Sequence, residues 1–322
     1  MKQKAGRAGR DKDLARREGA LRDTRVLPPV EAGALVLRTS RGHAWLEGGE
    51  GEEIHARLPR WATVAPGDRA TTDASSRVNG LVPRRTVLRR LAGTKGEQTL
   101  AANLDQVVIV VGPKLLLREG FLCRAMCGAF SEKLAALVVF NKSDLDDDGE
   151  MRMRAMLYRE VLGFDVLVTS VKAKEGLQAL EARLAGRTSA LLGQSGVGKS
   201  SLVNAMFGTD LRIGEVDDWG RGKHTTTLAR AIRLRPDTVL IDLPGVREFG
   251  LAELDPPTLA AAFPEIAEVG ARCRFPDCRH LDEEGCAVPA ALEDGGLDEA
   301  RVEAYRAIVL SYEAGDEGGG RS

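Results

Sequence analysis

The rhythm of apolar and polar positions changes along the chain, and each change predicts a different kind of element. Residues 1–28 carry little apolar periodicity and end on Pro28-Pro29, which predicts a flexible polar arm. From Gly33 to about Arg90 the text turns to short β-like runs, at residues 34–37, 43–46 and 54–58. Gly42, Gly48-Gly49, Pro66-Gly67 and Asn79-Gly80 punctuate them. Five or so strands in about sixty residues describe a small barrel, and an OB-like and an SH3-like barrel fit that pattern equally well.

Residues 91–103 read as a spacer. The continuous apolar run at residues 106–111 then predicts a parallel strand buried on both faces. Helix and strand patterns alternate after it: helix 121–133, strand 137–140, helix 150–162, strand 166–169, helix 176–184 and strand 190–192. A glycine-rich loop opens another helix, and strands at 229–234 and 238–241 follow. That alternation is α/β organisation. Beyond Arg247 the pattern is mostly helical, with a cysteine-rich knot inside it and a Gly-rich tail after Gly315.

Length changes the picture first. With 322 residues the chain exceeds one ordinary hydrophobic core, so several domains are expected. Hydrophobic residues at 43% and charged residues at 29% are a soluble balance. No apolar run approaches the roughly 18 residues of a membrane span. The basic, polar start lacks a secretory h-region, so a cytoplasmic protein is expected. The net charge of −1 hides an asymmetry: residues 1–100 carry 20 Lys+Arg against 12 Asp+Glu. The basic end is a candidate polyanion contact, although a solvated disordered tail has the same composition.

Gly193-Gln194-Ser195-Gly196-Val197-Gly198-Lys199-Ser200 fits G-x4-G-K-[ST] between a strand and a helix. Backbone N–H groups freed by the glycines cradle phosphates, Lys199 reaches the β and γ oxygens, and the Ser200 hydroxyl suits Mg²⁺. Asn141-Lys142-Ser143-Asp144 follows a buried strand. A carboxylate at Asp144 accepts from N1–H and from the exocyclic amine of guanine, a donor pair that adenine lacks. Thr169-Ser170-Val171-Lys172, at another strand end, is the expected place for a backbone contact to the guanine oxygen. Asp242-Leu243-Pro244-Gly245 supplies D-x-x-G, with Asp242 on the Mg²⁺ side and the Gly245 amide meeting the γ-phosphate. Between these motifs lies Gly222-Lys223-His224-Thr225-Thr226-Thr227, in which three adjacent threonines compete as the Mg²⁺ ligand. Val246 stands where Ras-like proteins carry a water-orienting glutamine, which leaves His224 as the local candidate for positioning water.

The order of these motifs is informative, because the base-reading elements precede the P-loop. Ras-like chains begin with the P-loop, so this is a circular permutation, which is permissible where the original termini lie close together. Cys273, Cys278, His280 and Cys286, spaced C-x4-C-x-H-x5-C, form a closed Cys₃His set suited to one structural zinc. Cys123 and Cys127 lie on the apolar stripe of a helix and read as core.

Together the β-barrel ahead of Ala101-Ala102-Asn103-Leu104-Asp105, the permuted motifs, the P-G-V-R-E-F run at residues 244–249 and the cysteine knot resemble the bacterial small-subunit biogenesis GTPases called RsgA or YjeQ. The resemblance implies an α/β fold class with an N-terminal OB-like β-barrel, a circularly permuted P-loop GTPase domain and a C-terminal zinc-binding helical domain. The expected divisions are an arm at 1–28, the barrel at 29–95, the GTPase domain at 96–250, the zinc domain at 251–314 and a polar tail at 315–322. Expected GTP contacts are Asn141, Lys142, Asp144, Ser170, Val171, the P-loop from Gly193 through Ser200, Ser201, Asp242 and Gly245. Mg²⁺ would be held by Ser200, Thr226 and Asp242, and His224 would be catalytic. The family implies GTP hydrolysis in late maturation of the 30S subunit, stimulated by that subunit, with 16S rRNA contact, no membrane association and a monomeric protein. A permuted GTPase acting on another ribonucleoprotein keeps every nucleotide contact; a P-loop ATPase or phosphotransferase is opposed by Asn141 and Asp144.

Overall fold

The computed structural model describes residues 26–91, 97–114, 118–210, 229–243, 254–281 and 283–319. Strands β1 (Ala34–Ser40), β2 (His43–Glu47) and β3 (Glu53–Arg57) make an antiparallel meander. Strand β4 (Arg69–Thr72) pairs back on β1, and β5 (Val78–Leu81) pairs on β4. A parallel bridge between Arg57 and Arg77 joins β3 to the start of β5, with the Arg57 N–H donating to the Ser76 carbonyl at 2.8 Å. The ring therefore closes in the order β1-β2-β3-β5-β4, a Greek-key path that suits the OB-like alternative. Inward positions alternate with outward ones along β2, and Val36, Ala44, Leu46, Ala56, Ala70 and Val78 fill the interior.

The second layer is a sheet in the order β10-β9-β8-β11-β13-β12. Strands β8 (Gln106–Val111), β9 (Ala135–Asn141), β10 (Asp165–Thr169), β11 (Thr188–Gly193) and β13 (Thr238–Asp242) are parallel. Strand β12 (Arg230–Arg235) is antiparallel and touches β1 through the pair Arg38 and Arg230. All of β8 is buried, as its continuous apolar run predicts, and period 2 divides it between two cores. Val107, Ile109 and Val111 pack with helix α1 (Glu119–Ser131), while Val108 and Val110 pack with α3 (Leu177–Leu184) and α4 (Lys199–Phe207). Between them in sequence, α2 (Glu150–Met156) passes into a π turn at Leu157–Val161. The periodicity alone predicts one helix over 150–162, with no sign of the wider turn.

The stretch read as a spacer carries a strand: β7 (Glu97–Ala102) pairs with β6 (Val87–Leu91). Its first half is polar and partly exposed, so it lacks alternation, and only pairing with β6 organises it. Behind this hairpin Gly67 has φ +90°, and a Cβ there would lie 2.1 Å from the Ala102 carbonyl oxygen. Barrel and hairpin thus meet at backbone distance, and only glycine allows that approach. The C-terminal part comprises α5 (Pro256–Ala262), α6 (Pro264–Gly270), α7 (Val288–Glu293) and α8 (Glu299–Gly319). Asp255 caps α5, accepting from the Thr258 N–H at 2.8 Å, with prolines at the first helical positions. Cys123 and Cys127 lie wholly buried in α1, where burial pushes the Cys127 thiol up to about 12, consistent with inert core residues.

Candidate functional site

Asn141, Thr169, Gly193 and Asp242 end four of the five parallel strands, so the motifs converge on one edge of the sheet. Register places them together: Thr169 pairs with Asn141, Gly193 with Val110, and Asp242 with Leu191. Carboxyl ends of parallel strands are where open α/β sheets hold ligands.

The P-loop leaves β11 at Gly193 and enters α4 at Lys199. Its backbone takes left-handed values at Gly196 (φ +85°) and Gly198 (φ +94°), which only glycine adopts freely. Lys199 is 9% exposed, and its ammonium donates to the carbonyls of Gly193 at 2.7 Å and Gln194 at 3.2 Å. Burial pulls its pKa down, opposed by the Asp242 carboxylate, which places that charge close to the lysine. Val197 is fully buried beneath the loop, whereas Ser195 and Gly196 are exposed. Ser200 and Ser201 stand in the first turn of α4.

At the base-reading end, Asn141 is 1% exposed and both ends of its amide are committed. The amide nitrogen donates to the Val197 carbonyl at 2.8 Å, and its oxygen accepts from the Thr169 hydroxyl at 3.0 Å. These two bonds make Asn141 a tie between N-K-S-D, the P-loop and β10. Lys142 takes a left-handed φ of 65°, and its chain runs beside Gly198: a Cβ at Gly198 would lie 2.5 Å from the Asn141 amide nitrogen and 3.6 Å from Lys142 Cε. Asp144 accepts from the Ser170 hydroxyl at 2.5 Å, so Ser170 orients the carboxylate. Val171 follows it on the same loop, partly buried.

Asp242, at the end of β13, is 6% exposed and faces this edge. With the Ser200 hydroxyl it would offer hard oxygen donors of the kind Mg²⁺ takes. His224, Thr225, Thr226, Thr227, Gly245 and Val246 lie outside the described residues.

Cys273, Cys278, His280 and Cys286 come together as a second centre, with ligand atoms within 4.8 Å of one another. His280 Nδ1 is 3.6 Å from the Sγ of both Cys273 and Cys286. Zn–S near 2.3 Å and Zn–N near 2.0–2.1 Å in a tetrahedron give an S···N edge of about 3.5–3.6 Å, so the donor set fits zinc. His280 has φ +58° and sits against Gly270, where a Cβ would lie 2.8 Å from the imidazole Nε2. Burial lowers the His280 pKa and favours the neutral imidazole that ligates metal. Around it, the Glu283 carboxylate accepts the Arg279 N–H at 3.0 Å and the Leu281 N–H at 2.9 Å. The Ala287 N–H points at Cys273 Sγ from 3.3 Å. Such outer bonds hold thiolate ligands in place.

Several arginines of the basic barrel region have internal duties that their sequence positions conceal. Arg84 forms a forked pair with the fully buried Asp68, at 2.8 Å from each nitrogen. Arg85 reaches Asp105 at 3.1 Å, Arg89 reaches Glu97 and Glu132, and Arg90 reaches Gln98. Arg60, Arg69 and Arg77 stay exposed, without a side-chain partner among the described residues. Arg152 and Glu175 lie beside the site and motif reading passes over them, because their partners lie about 20 to 30 positions away in sequence.

Comparison with known proteins agrees with this geometry. The model of the RsgA GTPase family matches residues 81–252. The small ribosomal subunit biogenesis GTPase RsgA of Ectopseudomonas mendocina (strain ymp) is 35% identical over 321 residues, covering 92% of this chain and 92% of that protein. The protein of the same name from Pseudomonas syringae pv. syringae (strain B728a) is 37% identical over 317 residues, covering 92% and 91%. Among solved structures, YjeQ from Thermotoga maritima is similar at TM-score 0.61 and 27% identity, over 90% of this chain and 99% of that one. YloQ, a circularly permuted GTPase, shares the fold at TM-score 0.58 and 22% identity, over 87% and 94%.

Proposed function

The chain belongs to the RsgA GTPase family, and on that premise we propose that it hydrolyses GTP during late maturation of the 30S ribosomal subunit, with the subunit stimulating hydrolysis. One observation supports the nucleotide reading above the others: the P-loop, the N-K-S-D turn and Asp242 share a single sheet edge, cross-linked through the Asn141 bond to Val197. Relatives named as small ribosomal subunit biogenesis GTPases support the choice of particle.

In this reading Asp144 accepts the two guanine donors, Ser170 and Val171 offer backbone to the guanine oxygen, and Lys142 runs along the base. The N–H groups from Gln194 through Ser201 receive the phosphates. Lys199 exchanges its present bonds to the Gly193 and Gln194 carbonyls for phosphate oxygens, so an already buried ammonium gains an anionic partner without new desolvation. Mg²⁺ bound with the nucleotide would be held by Ser200, Asp242 and Thr226, and supplies neutralisation of charge on the phosphate oxygens. With Val246 after D-L-P-G, intrinsic hydrolysis is slow, and His224 positions water once contact with the subunit orders the site. The zinc knot is structural, since three thiolates and one imidazole fill all four positions. Arg60, Arg69 and Arg77 carry phosphate contact with 16S rRNA, so subunit binding weakens steeply with salt.

The test is phosphate release timed with the protein alone, with purified 30S subunits and with 50S subunits. Acceleration by 30S alone is expected; equal acceleration by 50S, or none by either, overturns the reading. In the same assay His224→Ala should retain GTP and 30S binding while losing most of the stimulated rate.

A further inference from the structure

Glu175 belongs to none of the nucleotide motifs, yet it joins two of them. Its backbone pairs with Ser170 in both directions: the Ser170 N–H donates to the Glu175 carbonyl at 3.0 Å, and the Glu175 N–H to the Ser170 carbonyl at 2.9 Å. Residues 170–175 are thereby a closed loop, and the Ser170 hydroxyl at its mouth donates to Asp144 at 2.5 Å. The Glu175 side chain turns the other way. Its carboxylate accepts from the hydroxyl of Ser143, the residue before Asp144, and takes both guanidinium nitrogens of Arg152 at 3.0 and 2.9 Å.

Each anchor of this circuit is itself fixed. Asp146 accepts from the N–H groups of Met151 and Arg152 at 2.9 and 3.0 Å and so holds the start of α2. Gly176, next to Glu175, has φ +68°, and a Cβ there would lie 2.1 Å from the Val168 carbonyl, so the loop leaves β10 along one path. Arg152 and then Ser143 hold the Glu175 carboxyl below its ordinary 4.5, which keeps it ionised for the fork. A two-donor match to guanine requires both Asp144 oxygens in the plane of the base. An Asp144 carboxylate held by the Ser170 hydroxyl, on a backbone tied down next door at Ser143, stays in that plane, whereas one free to turn keeps a single bond.

We propose that Glu175, braced by Arg152, is a positioning residue for guanine recognition: it ties the N-K-S-D turn to the loop 170–175 and thereby fixes the orientation of the Asp144 carboxylate. The inference rests on the reading of Asp144 as the guanine acceptor. It does not require Glu175 to touch nucleotide.

Displacement of methylanthraniloyl-GDP by GDP and by IDP from the full-length chain tests it. Inosine lacks the exocyclic amine, so the preference for GDP over IDP reports the second Asp144 bond, while general loosening weakens both nucleotides alike. Glu175→Gln should lower that preference roughly tenfold, at the lower end of what a hydrogen bond to a charged group contributes, and Arg152→Gln should lower it less. A preference within twofold of wild type in both variants, or equal losses for GDP and IDP, overturns the proposal. Should Glu175→Gln fail to fold, Arg152→Gln at a half-exposed side chain decides alone. Asp144→Asn is the control. A shift toward xanthosine diphosphate upholds the base site, so that unchanged preference in the other two variants rejects the role of Glu175 alone. Absence of that shift removes the base-site reading and this inference with it.

Discussion

Arg301 is the side chain whose removal should cost the most, and the structure sets the size of the effect. It is 1% exposed on α8, yet it carries a guanidinium into the seam between the C-terminal helices and α1. Its Nε donates to Glu265 at 2.5 Å, one Nη to the Tyr158 hydroxyl at 2.7 Å, and the other to the Ala262 carbonyl at 2.8 Å and to Glu265 at 3.2 Å. The cation also lies 4.9 Å from the ring centroids of both Phe263 and Tyr158. Burial works against the charge, but Tyr158, Cys123 and Glu265 around it raise the Arg301 pKa, so it stays ionised. In Arg301→Ala the Glu265 carboxylate and the Ala262 carbonyl lose their partner together, while the Tyr158 hydroxyl keeps its bond to Glu119. Breaking a buried ion pair from one side costs about 3 to 5 kcal/mol. For a protein of this size that lowers Tm by about 4 to 7 °C. The assay is scanning calorimetry of wild type, Arg301→Ala and Arg301→Met, with GDP affinity measured in parallel. Affinity should hold, because the seam lies away from the nucleotide edge. Arg301→Met should recover part of the loss by filling the space while still leaving Glu265 unpaired. A Tm within about 2 °C of wild type in both variants would refute the argument that this cation fastens the C-terminal helices to the GTPase sheet.

Cys278→Ser should lose stoichiometric zinc and speed amide exchange around residues 270–290, because ligation energy in such a knot is part of the folding energy; native protein prepared without chelators and free of zinc by elemental analysis would refute the site. Gly198→Ala puts a Cβ at φ +94° and 2.5 Å from the Asn141 amide. Left-handed strain and a displaced Asn141 bond together cost about 2 kcal/mol, or roughly 30-fold in GDP affinity by isothermal calorimetry, and an unchanged Kd would show the tie to be dispensable. The Glu175 carboxyl is held below its ordinary 4.5, so its contribution is complete above that pH and declines as pH falls through the lower value in the folded protein. The GDP over IDP preference should therefore be level above 4.5 and fall on further acidification, and Glu175→Gln should flatten the profile; parallel curves in the two proteins would count against it.

What the sequence determined by itself is what short-range chemistry encodes. The P-loop, N-K-S-D, D-L-P-G and C-x4-C-x-H-x5-C need only fixed spacing within a turn or two, and the buried strand Gln106–Val111 announces itself by an unbroken apolar run. Their order along the chain was enough to reveal the permutation, since the same strands pair whichever connection is cut. Tertiary structure decided which residues meet across the sheet edge. That the Asn141 amide also reaches Val197, 56 residues on, follows only once β9 and β11 stand one strand apart. The pairing of Arg84 with Asp68 and of Arg89 with Glu132 is likewise invisible until those segments are folded together. Glu97–Ala102 looks like a spacer because a half-exposed strand gains its order from β6 and not from its own alternation. A hydrogen bond or ion pair between distant residues has no periodicity to read. Its energy depends on burial and on distance to a partner, and both are fixed only when strand order brings the two segments into register.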